Sequence, residues 1–143
     1  MYLLDTNVIS EFRKIDSGRI NPNVLRWLET VYPEDLFMSV MSLMEIKIGV
    51  LQLEHRKDFS QAERVKYWLE TEVEPKFRGR ILTITNKVAL TCAEFHVPNK
   101  RPTNDVLIAA TAMAHNYTLV TRNTKDFQEL KVKLFNPFLD ENK

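Results

Sequence analysis

The chain has 143 residues, of which 44% are hydrophobic and 27% charged, with three glycines and six prolines. This composition predicts one compact domain over residues 1–143 and leaves no room for a second. Lys and Arg number 20 against 19 Asp and Glu, so the net charge of +1 argues neither for nor against a nucleic-acid partner.

Cysteine content and hydrophobicity exclude further classes. Cys92 is the only cysteine, which excludes an internal disulfide and a cysteine-rich zinc site. Its helical spacing with Val88, Ala89 and Ala93 predicts a thiol in the core. No apolar run approaches the ~20 residues of a membrane span, and the N-terminus lacks the basic flank of a signal peptide. We therefore expect no membrane association and a reducing, cytoplasmic location.

Strands and helices are predicted to alternate along the chain. The expected order is strand 2–4, helix 8–13, helix 22–31, strand 36–38, helix 42–53, helix 60–74, strand 80–85, helix 86–96, helix 105–114, strand 117–121, helix 125–130 and strand 132–135. This alternation predicts the α/β class, with a parallel sheet covered by helices on both faces.

Helix boundaries are predicted from capping residues and prolines. The expected signals are Asn21 before Pro22, Ser39 or Ser42 before the third helix, a capping box of Ser60 and Glu63, a helix end before Pro75, Asn86 as a cap, and Asn104 or Asp105 opening the Ala-rich helix.

Four acids are expected at the carboxyl ends of the strands, where ligands bind in such sheets. They are Asp5, Glu45, Asp105 and Asp126. Each of the three aspartates has a structural alternative: Asp105 and Asp126 are ordinary helix-start residues, and Asp5 could cap the first helix.

Glu45 lies on a narrow polar stripe between two apolar flanks of its helix. A carboxylate in such a place is protonated, paired with a cationic side chain or bound to a cation. Lys47 and Lys87 are the candidate ion-pair partners of Glu45, and a bound metal ion is the alternative to them.

The oxygen ligands favour Mg2+ or Mn2+ over zinc, because hard divalent cations are typically held by a few carboxylates. Imidazole ligands are not indicated, since the three histidines lack paired spacing and are interpreted as structural or surface groups. They are His55, His96 and His115.

Four segments carry the resemblance to a known family: LLDTNVISE (3–11), SLMEIKIGV (42–50), RPTNDVLIAATA (101–112) and LVTRNTKDF (119–127). In this order and spacing the chain resembles the PIN-domain nucleases from residue 1 to about residue 138, and among them the VapC or FitB-like toxins of bacterial toxin–antitoxin pairs. The resemblance implies a PIN-like three-layer α/β/α sandwich with a mainly parallel central sheet.

The resemblance also implies a metal-dependent endoribonuclease that cleaves RNA phosphodiesters with metal-activated water. It implies a homodimer, or a larger assembly with a small antitoxin whose C-terminal segment covers the active site. We expect the helices at 22–31 and 42–53 to form an apolar groove for the antitoxin. Nothing in the sequence indicates which RNA is cleaved.

By motif position, Asp5, Glu45 and Asp105 match the family's three best-defined acids. The fourth position is open, because Asn123 stands where many relatives carry Asp, and Asp126 follows three residues later. Asn123 would then be a weak ligand or a neighbour of the ligands.

Further residues match positions around the family's acids. Thr6, Asn7 and Thr121 match small polar residues that position the acids or hold water. Arg122 and Lys125 are candidate contacts for RNA phosphates.

Two other functions remain open. A phosphatase of the haloacid dehalogenase type also begins with a strand running into Asp, but it needs a second acid where this chain has Asn7. The second alternative is a non-catalytic PIN-like module for dimerisation and partner binding, in which Asn123 would mark a weakened acid site. The intact Asp5, Glu45 and Asp105 argue against that module.

Overall fold

A five-stranded, entirely parallel sheet forms the centre of the protein, whose computed structural model describes residues 1–140. The strand order is β3-β2-β1-β4-β5, so the first strand of the chain is the middle strand of the sheet. The strands are β1 (Tyr2–Leu4), β2 (Leu36–Ser39), β3 (Ile81–Leu82), β4 (Thr118–Val120) and β5 (Leu134–Phe135).

Helices connect the strands and cover both faces of the sheet. They are α1 (Thr6–Phe12), α2 (Pro22–Leu28), α3 (Val40–His55), α4 (Phe59–Trp68), α5 (Glu74–Lys76), α6 (Asn86–Phe95) and α7 (Thr103–His115). A π-helical turn (Leu69–Val73) joins α4 to α5, and 3-10 turns occur at Pro33–Asp35 and Thr124–Phe127. No helix within residues 1–140 has the length and apolar character to cross a membrane.

Alternate side chains of the strands divide the core into two layers, as the period of a strand requires. Leu4 and Val120 belong to a cluster beneath α1, α2 and the helical segment 59–76. Leu3 and Leu119 point to the opposite face, into a cluster with α7. The predicted three-layer α/β/α sandwich is therefore confirmed.

Two predicted caps are present. The Asn21 side chain accepts hydrogen bonds from the backbone N–H groups of Asn23 and Val24, and Ser39 accepts one from Met41. Ser42, the alternative to Ser39, is instead buried inside α3.

The capping box and the helix end before Pro75 were wrong. Helix α4 begins at Phe59, so Ser60 lies inside it and its hydroxyl accepts a hydrogen bond from Arg64. The helical path continues through the π-helical turn, and Pro75 lies in α5, just after that turn.

Three other boundaries differ from the prediction. Thr85, not Asn86, caps α6 by accepting a hydrogen bond from Val88 N–H. Helix α7 begins at Thr103, ahead of Asn104 and Asp105. The third strand, predicted over 80–85, is only Ile81–Leu82.

The parallel register brings the ends of three strands to one edge. Leu4 of β1 is level with Met38 of β2 and with Val120 of β4. The residues that follow these three in the sequence are Asp5, Ser39 and Thr121, respectively. The edge that carries Asp5 is therefore also the edge from which α3 and the 3-10 turn at 124–127 begin.

Glu11 is a buried acid of α1 that joins the helix to the start of α2. Its carboxylate accepts the backbone N–H of Asn21 at 2.9 Å and the Lys14 ammonium at 3.0 Å. Burial by itself raises the pKa of Glu11, but these hydrogen bonds and the charges of Lys14 and Arg122 outweigh burial and lower it.

We predict that Glu11→Gln destabilises the protein at neutral pH by about 1–2 kcal/mol, because a charge-assisted hydrogen bond is lost. A carboxyl group with a lowered pKa in the folded state stabilises the fold above its unfolded pKa, and this stabilisation is lost as the pH falls through the folded value. Urea unfolding of wild type and variant should therefore converge below about pH 4. The exposed Glu63→Gln is the control, and a pH-independent difference would contradict the prediction.

Candidate active site

Asp5 is the first residue after β1 and is held by neutral donors. Its backbone N–H donates to Val120 O at 2.9 Å, which fixes the residue at the end of the sheet. Oδ1 accepts the backbone N–H of Thr6 at 2.8 Å, while Oδ2 accepts the Thr121 hydroxyl at 2.8 Å and the Asn7 side-chain amide at 3.3 Å. Asp5 is therefore both the cap of α1 and an acid at the carboxyl edge of the sheet.

Burial is the largest influence on the pKa of Asp5, and it raises that pKa. Glu45 adds to the increase through charge repulsion, whereas the hydrogen bonds from Thr121, Thr6 and Asn7 oppose it. Asp5 is 6% exposed, and its carboxylate has no cationic partner within residues 1–140. Negative charge at this position is thus stabilised only partly.

Glu45 projects from α3 towards the same edge. The Thr6 hydroxyl donates to Glu45 Oε1 at 2.7 Å, and the Thr6 oxygen also lies 2.8 Å from the buried Ser42 hydroxyl. Neither Lys47 nor Lys87 forms an ion pair with Glu45. Because Thr6 contacts both carboxylates, through its backbone N–H and its hydroxyl, it holds Asp5 and Glu45 in a defined relation.

Asp105 and Asp126 approach the edge from the other side. Asp105 lies in the first turn of α7, half-buried, and Asp126 lies in the 3-10 turn, exposed. Burial raises the pKa of Asp105, and the charges of Asp5 and Asp126 raise it further. The two residues also line a cleft of about 220 Å3 with Arg101 and Pro102.

Asn123 and Asp126, the two candidates for the fourth acid position, differ in their surroundings. The backbone N–H of Asn123 donates to the Thr121 hydroxyl at 3.1 Å, but its exposed side chain makes no hydrogen bond within residues 1–140. Asp126, by contrast, is close enough to repel Asp105.

The acids meet at one edge without forming a closed set of ligands. In the part of the chain that the structure describes, no three His, Cys, Asp or Glu residues lie close enough to hold a metal ion together. The histidines lie apart: His55 ends α3, His96 Nδ1 accepts the N–H of Arg101 at 3.2 Å, and His115 contacts the Tyr117 ring.

A larger cleft of about 460 Å3 extends from the acids between α1, α3 and α4. Thr6, Asn7 and Glu45 line one end of it, and the basic side chains along it are Arg13, Lys14 and Arg122. Sequence reasoning missed Arg13 and Lys14, which directly follow α1. Of the two predicted phosphate contacts, Arg122 borders this cleft, whereas Lys125 is exposed in the 3-10 turn beside Asp126.

A family model described as the PIN domain matches residues 2–133. The chain is 36% identical over 146 residues to Toxin FitB of Neisseria gonorrhoeae, covering 98% of this chain and all of FitB. It is 31% identical to VapC ribonuclease Y4jK of Sinorhizobium fredii, covering 96% of this chain and 98% of that protein. The chain belongs to the PIN domain family.

Solved structures agree with this assignment. The chain matches the structure of FitAcB from Neisseria gonorrhoeae with a TM-score of 0.84 and 34% identity, covering 96% of this chain and 99% of that one. It also matches a toxin-antitoxin complex from Klebsiella pneumoniae, with a TM-score of 0.66, 27% identity and coverage of 98% and 100%.

We predict that Thr121→Val destabilises the fold more than Thr111→Val, although both hydroxyls are fully buried. Thr121 donates to a carboxylate, and such a hydrogen bond contributes about 1.5–3 kcal/mol to the free energy of unfolding. Thr111 donates to the neutral Leu107 carbonyl, and that hydrogen bond contributes about 0.5–1.5 kcal/mol. Urea unfolding at neutral pH measures both. Equal losses would show that the Asp5 carboxylate does not depend on Thr121.

Proposed function

We propose that the protein is a metal-dependent endoribonuclease and the toxin of a bacterial toxin–antitoxin pair. The observation that carries this proposal is a group of carboxylates, Asp5, Glu45, Asp105 and Asp126, at the carboxyl edge of a PIN domain with no cationic side chain paired to any of them within residues 1–140. Relatives that match nearly the whole chain are named a toxin and a ribonuclease, which supports the same function.

The donor set fits a hard divalent cation. All four candidate ligands are carboxylates, and burial, together with the charges of neighbouring acids, raises the pKa values of Asp5 and Asp105. Since no three of the acids are within joint reach of one ion, binding requires the side chains to move together. When bound, Mg2+ or Mn2+ would activate water for attack on a phosphodiester and stabilise the charge that develops there.

The residues of the chain have separate tasks in this mechanism. Asp5, Glu45, Asp105 and Asp126 would hold the ion, with Asn123 beside them. Thr6, Asn7 and Thr121 keep Asp5 and Glu45 in place through the hydrogen bonds described above. Arg122 and Lys125 would bind RNA phosphates, which makes the affinity for RNA fall with increasing salt.

We predict that Asp105→Asn and Asp5→Asn each lower cleavage of total bacterial RNA by at least ~100-fold in Mg2+ or Mn2+, because a ligand and its charge are lost. EDTA should abolish cleavage by the wild type. Gel analysis of RNA fragments, with protein purified free of antitoxin, is the measurement.

The control for this experiment is Asp58→Asn, an exposed aspartate before α4 that leaves the acids unchanged. Circular dichroism would establish that all variants are folded. Metal-independent cleavage, or full activity of Asp105→Asn, would overturn the proposed mechanism.

A non-catalytic module for dimerisation and partner binding is the second candidate, favoured by the distance between the acids. It predicts no RNA cleavage and no Mn2+ binding by calorimetry. The dehalogenase-type phosphatase is disfavoured further, since the Asn7 amide donates to Asp5 and to Thr121 and offers no acid.

The partner that we propose is a small antitoxin, as in the toxin–antitoxin complex that this chain resembles. The apolar cleft that we propose for it is bordered by the first helix of the predicted groove, 22–31, and not by the second, 42–53. It has a volume of about 300 Å3 and lies between α1, α2 and the helical segment 59–77, with no residue of α3. Its apolar lining includes Phe12, Leu28 and Trp68, with Ile15 44% exposed.

A homodimer stays a prediction, which sedimentation at several protein concentrations would check. The exposed side of α3 offers an apolar surface for a second copy. Met44, Ile48 and Leu51 lie there and are 40%, 40% and 49% exposed.

We predict that Ile15→Asp weakens antitoxin binding by at least ~10-fold, because a charge would enter an apolar contact, and leaves RNA cleavage unchanged. Co-expression with the antitoxin should rescue growth of cells that make the wild type but not of cells that make Ile15→Asp. Leu90→Asp, an exposed apolar residue on α6, is the control. Rescue of all three would place the antitoxin on another surface.

A further inference from the structure

The C-terminal segment 136–138, here called the C-terminal strap, contacts Arg122 in two ways. The Arg122 guanidinium carbon lies 4.5 Å from the centroid of the Phe138 ring. The Asn136 side-chain amide donates to the Arg122 carbonyl at 3.1 Å. The strap thus contacts both the backbone and the side chain of one exposed arginine.

The C-terminal strap is itself firmly held. Phe138 is 8% exposed and belongs to the core cluster of α1 and α2. Its backbone N–H donates to Asn136 Oδ1 at 2.9 Å, and its carbonyl accepts the Asn23 side-chain amide of α2 at 2.8 Å. The Phe138 ring is therefore a fixed surface beneath the Arg122 guanidinium.

Arg122 stands where the acids meet the larger cleft. Its backbone N–H donates to Asn7 Oδ1 at 3.1 Å, and the Asn7 amide in turn donates to Asp5. Its side chain borders the 460 Å3 cleft that begins at Thr6 and Glu45. A cation at this junction lies beside the acids without being paired to them within residues 1–140.

An exposed arginine ordinarily samples many rotamers, and binding a phosphate through it costs conformational entropy. A guanidinium stacked on an aromatic ring has already lost part of that freedom, and its planar donors remain available for phosphate oxygens. The contact with Phe138 therefore prepares Arg122 for a phosphate at the mouth of the cleft.

We propose that Phe138 and Asn136 are positioning residues that hold Arg122 as an RNA-phosphate contact beside the scissile bond. This inference rests on the proposed ribonuclease function and deepens it. RNA would then enter the cleft between α1, α3 and α4 on the side of Arg122.

The chain offers a matched control for the arginine–ring contact. The Arg80 guanidinium lies 5.3 Å from the centroid of the Phe77 ring, and Phe77 is 7% exposed in the same core cluster. Phe138→Leu and Phe77→Leu therefore each replace a buried ring that contacts an arginine. Only the first is next to the acids.

The test measures binding of a fluorescein-labelled single-stranded oligoribonucleotide of mixed sequence, by anisotropy, in the Asp105→Asn background. Phe138→Leu should weaken binding about two- to fivefold, the value of one arginine–ring contact. Phe138→Tyr, which keeps the ring, should restore it, and Phe77→Leu should have no effect. With active enzyme, Phe138→Leu should raise KM and leave kcat unchanged.

The decisive comparison is the double variant. If Phe138 acts through Arg122, Phe138→Leu has no further effect once Arg122→Ala is present. Equal losses in both backgrounds, or the same loss from Phe77→Leu, would reduce Phe138 to a structural role and overturn the inference.

An NMR readout separates this inference from the proposed function, because it needs no RNA. The Arg122 Nε–H resonance should be shifted by the Phe138 ring in the wild type and return towards the random-coil position in Phe138→Leu. No shift overturns the inference. If the wild type cleaves RNA and Phe138→Leu changes neither binding nor cleavage, only the positioning role is overturned. If the wild type neither binds nor cleaves RNA, both proposals are overturned.

Discussion

The register of the parallel sheet is the constraint on which the candidate site depends. Because β1 is the central strand and ends level with β2 and β4, Asp5, the start of α3 and Thr121 must share one edge. Glu45 follows from the path of α3, and its contact with Thr6 joins it to the strand end. Concentrating carboxylates in this way opposes stability, since burial and mutual repulsion raise the pKa values of Asp5 and Asp105.

The donors around Asp5 show how the fold tolerates that charge without cancelling it. Thr6, Asn7 and Thr121 are neutral, so they fix the orientation of the carboxylate but leave its charge available. An arginine or lysine in their place would neutralise the carboxylate and remove its attraction for a cation. Glu11, only six residues further along, has the opposite arrangement: Lys14 pairs with it, and its role is structural.

The sequence sufficed for the fold class and for the positions of the acids, because both depend on local patterns. Strand 2–4 and the Asn21 cap were identified from local patterns, and Ser39 was one of the two caps predicted for α3. The predicted capping box at Ser60 was wrong because the helix begins one residue earlier, at Phe59. The predicted cap Asn86 was wrong because the preceding residue, Thr85, caps α6. The contact of Phe138 with Arg122 was missed because it joins distant segments of the chain, which no local pattern encodes.

The distribution of charge around the edge implies an order of events for the proposed reaction. Four carboxylates repel RNA as well as one another, so a phosphate can approach closely only after a cation has reduced that charge. Arg122 is placed beside the acids but stacked on Phe138, not paired with Asp5, and it therefore stays available in the absence of metal. Had Arg122 formed an ion pair with Asp5, it would compete with the cation for the same oxygen. Within residues 1–140, the edge therefore holds a carboxylate without a cationic partner for the proposed metal and an arginine without an ion-pair partner for the proposed RNA contact.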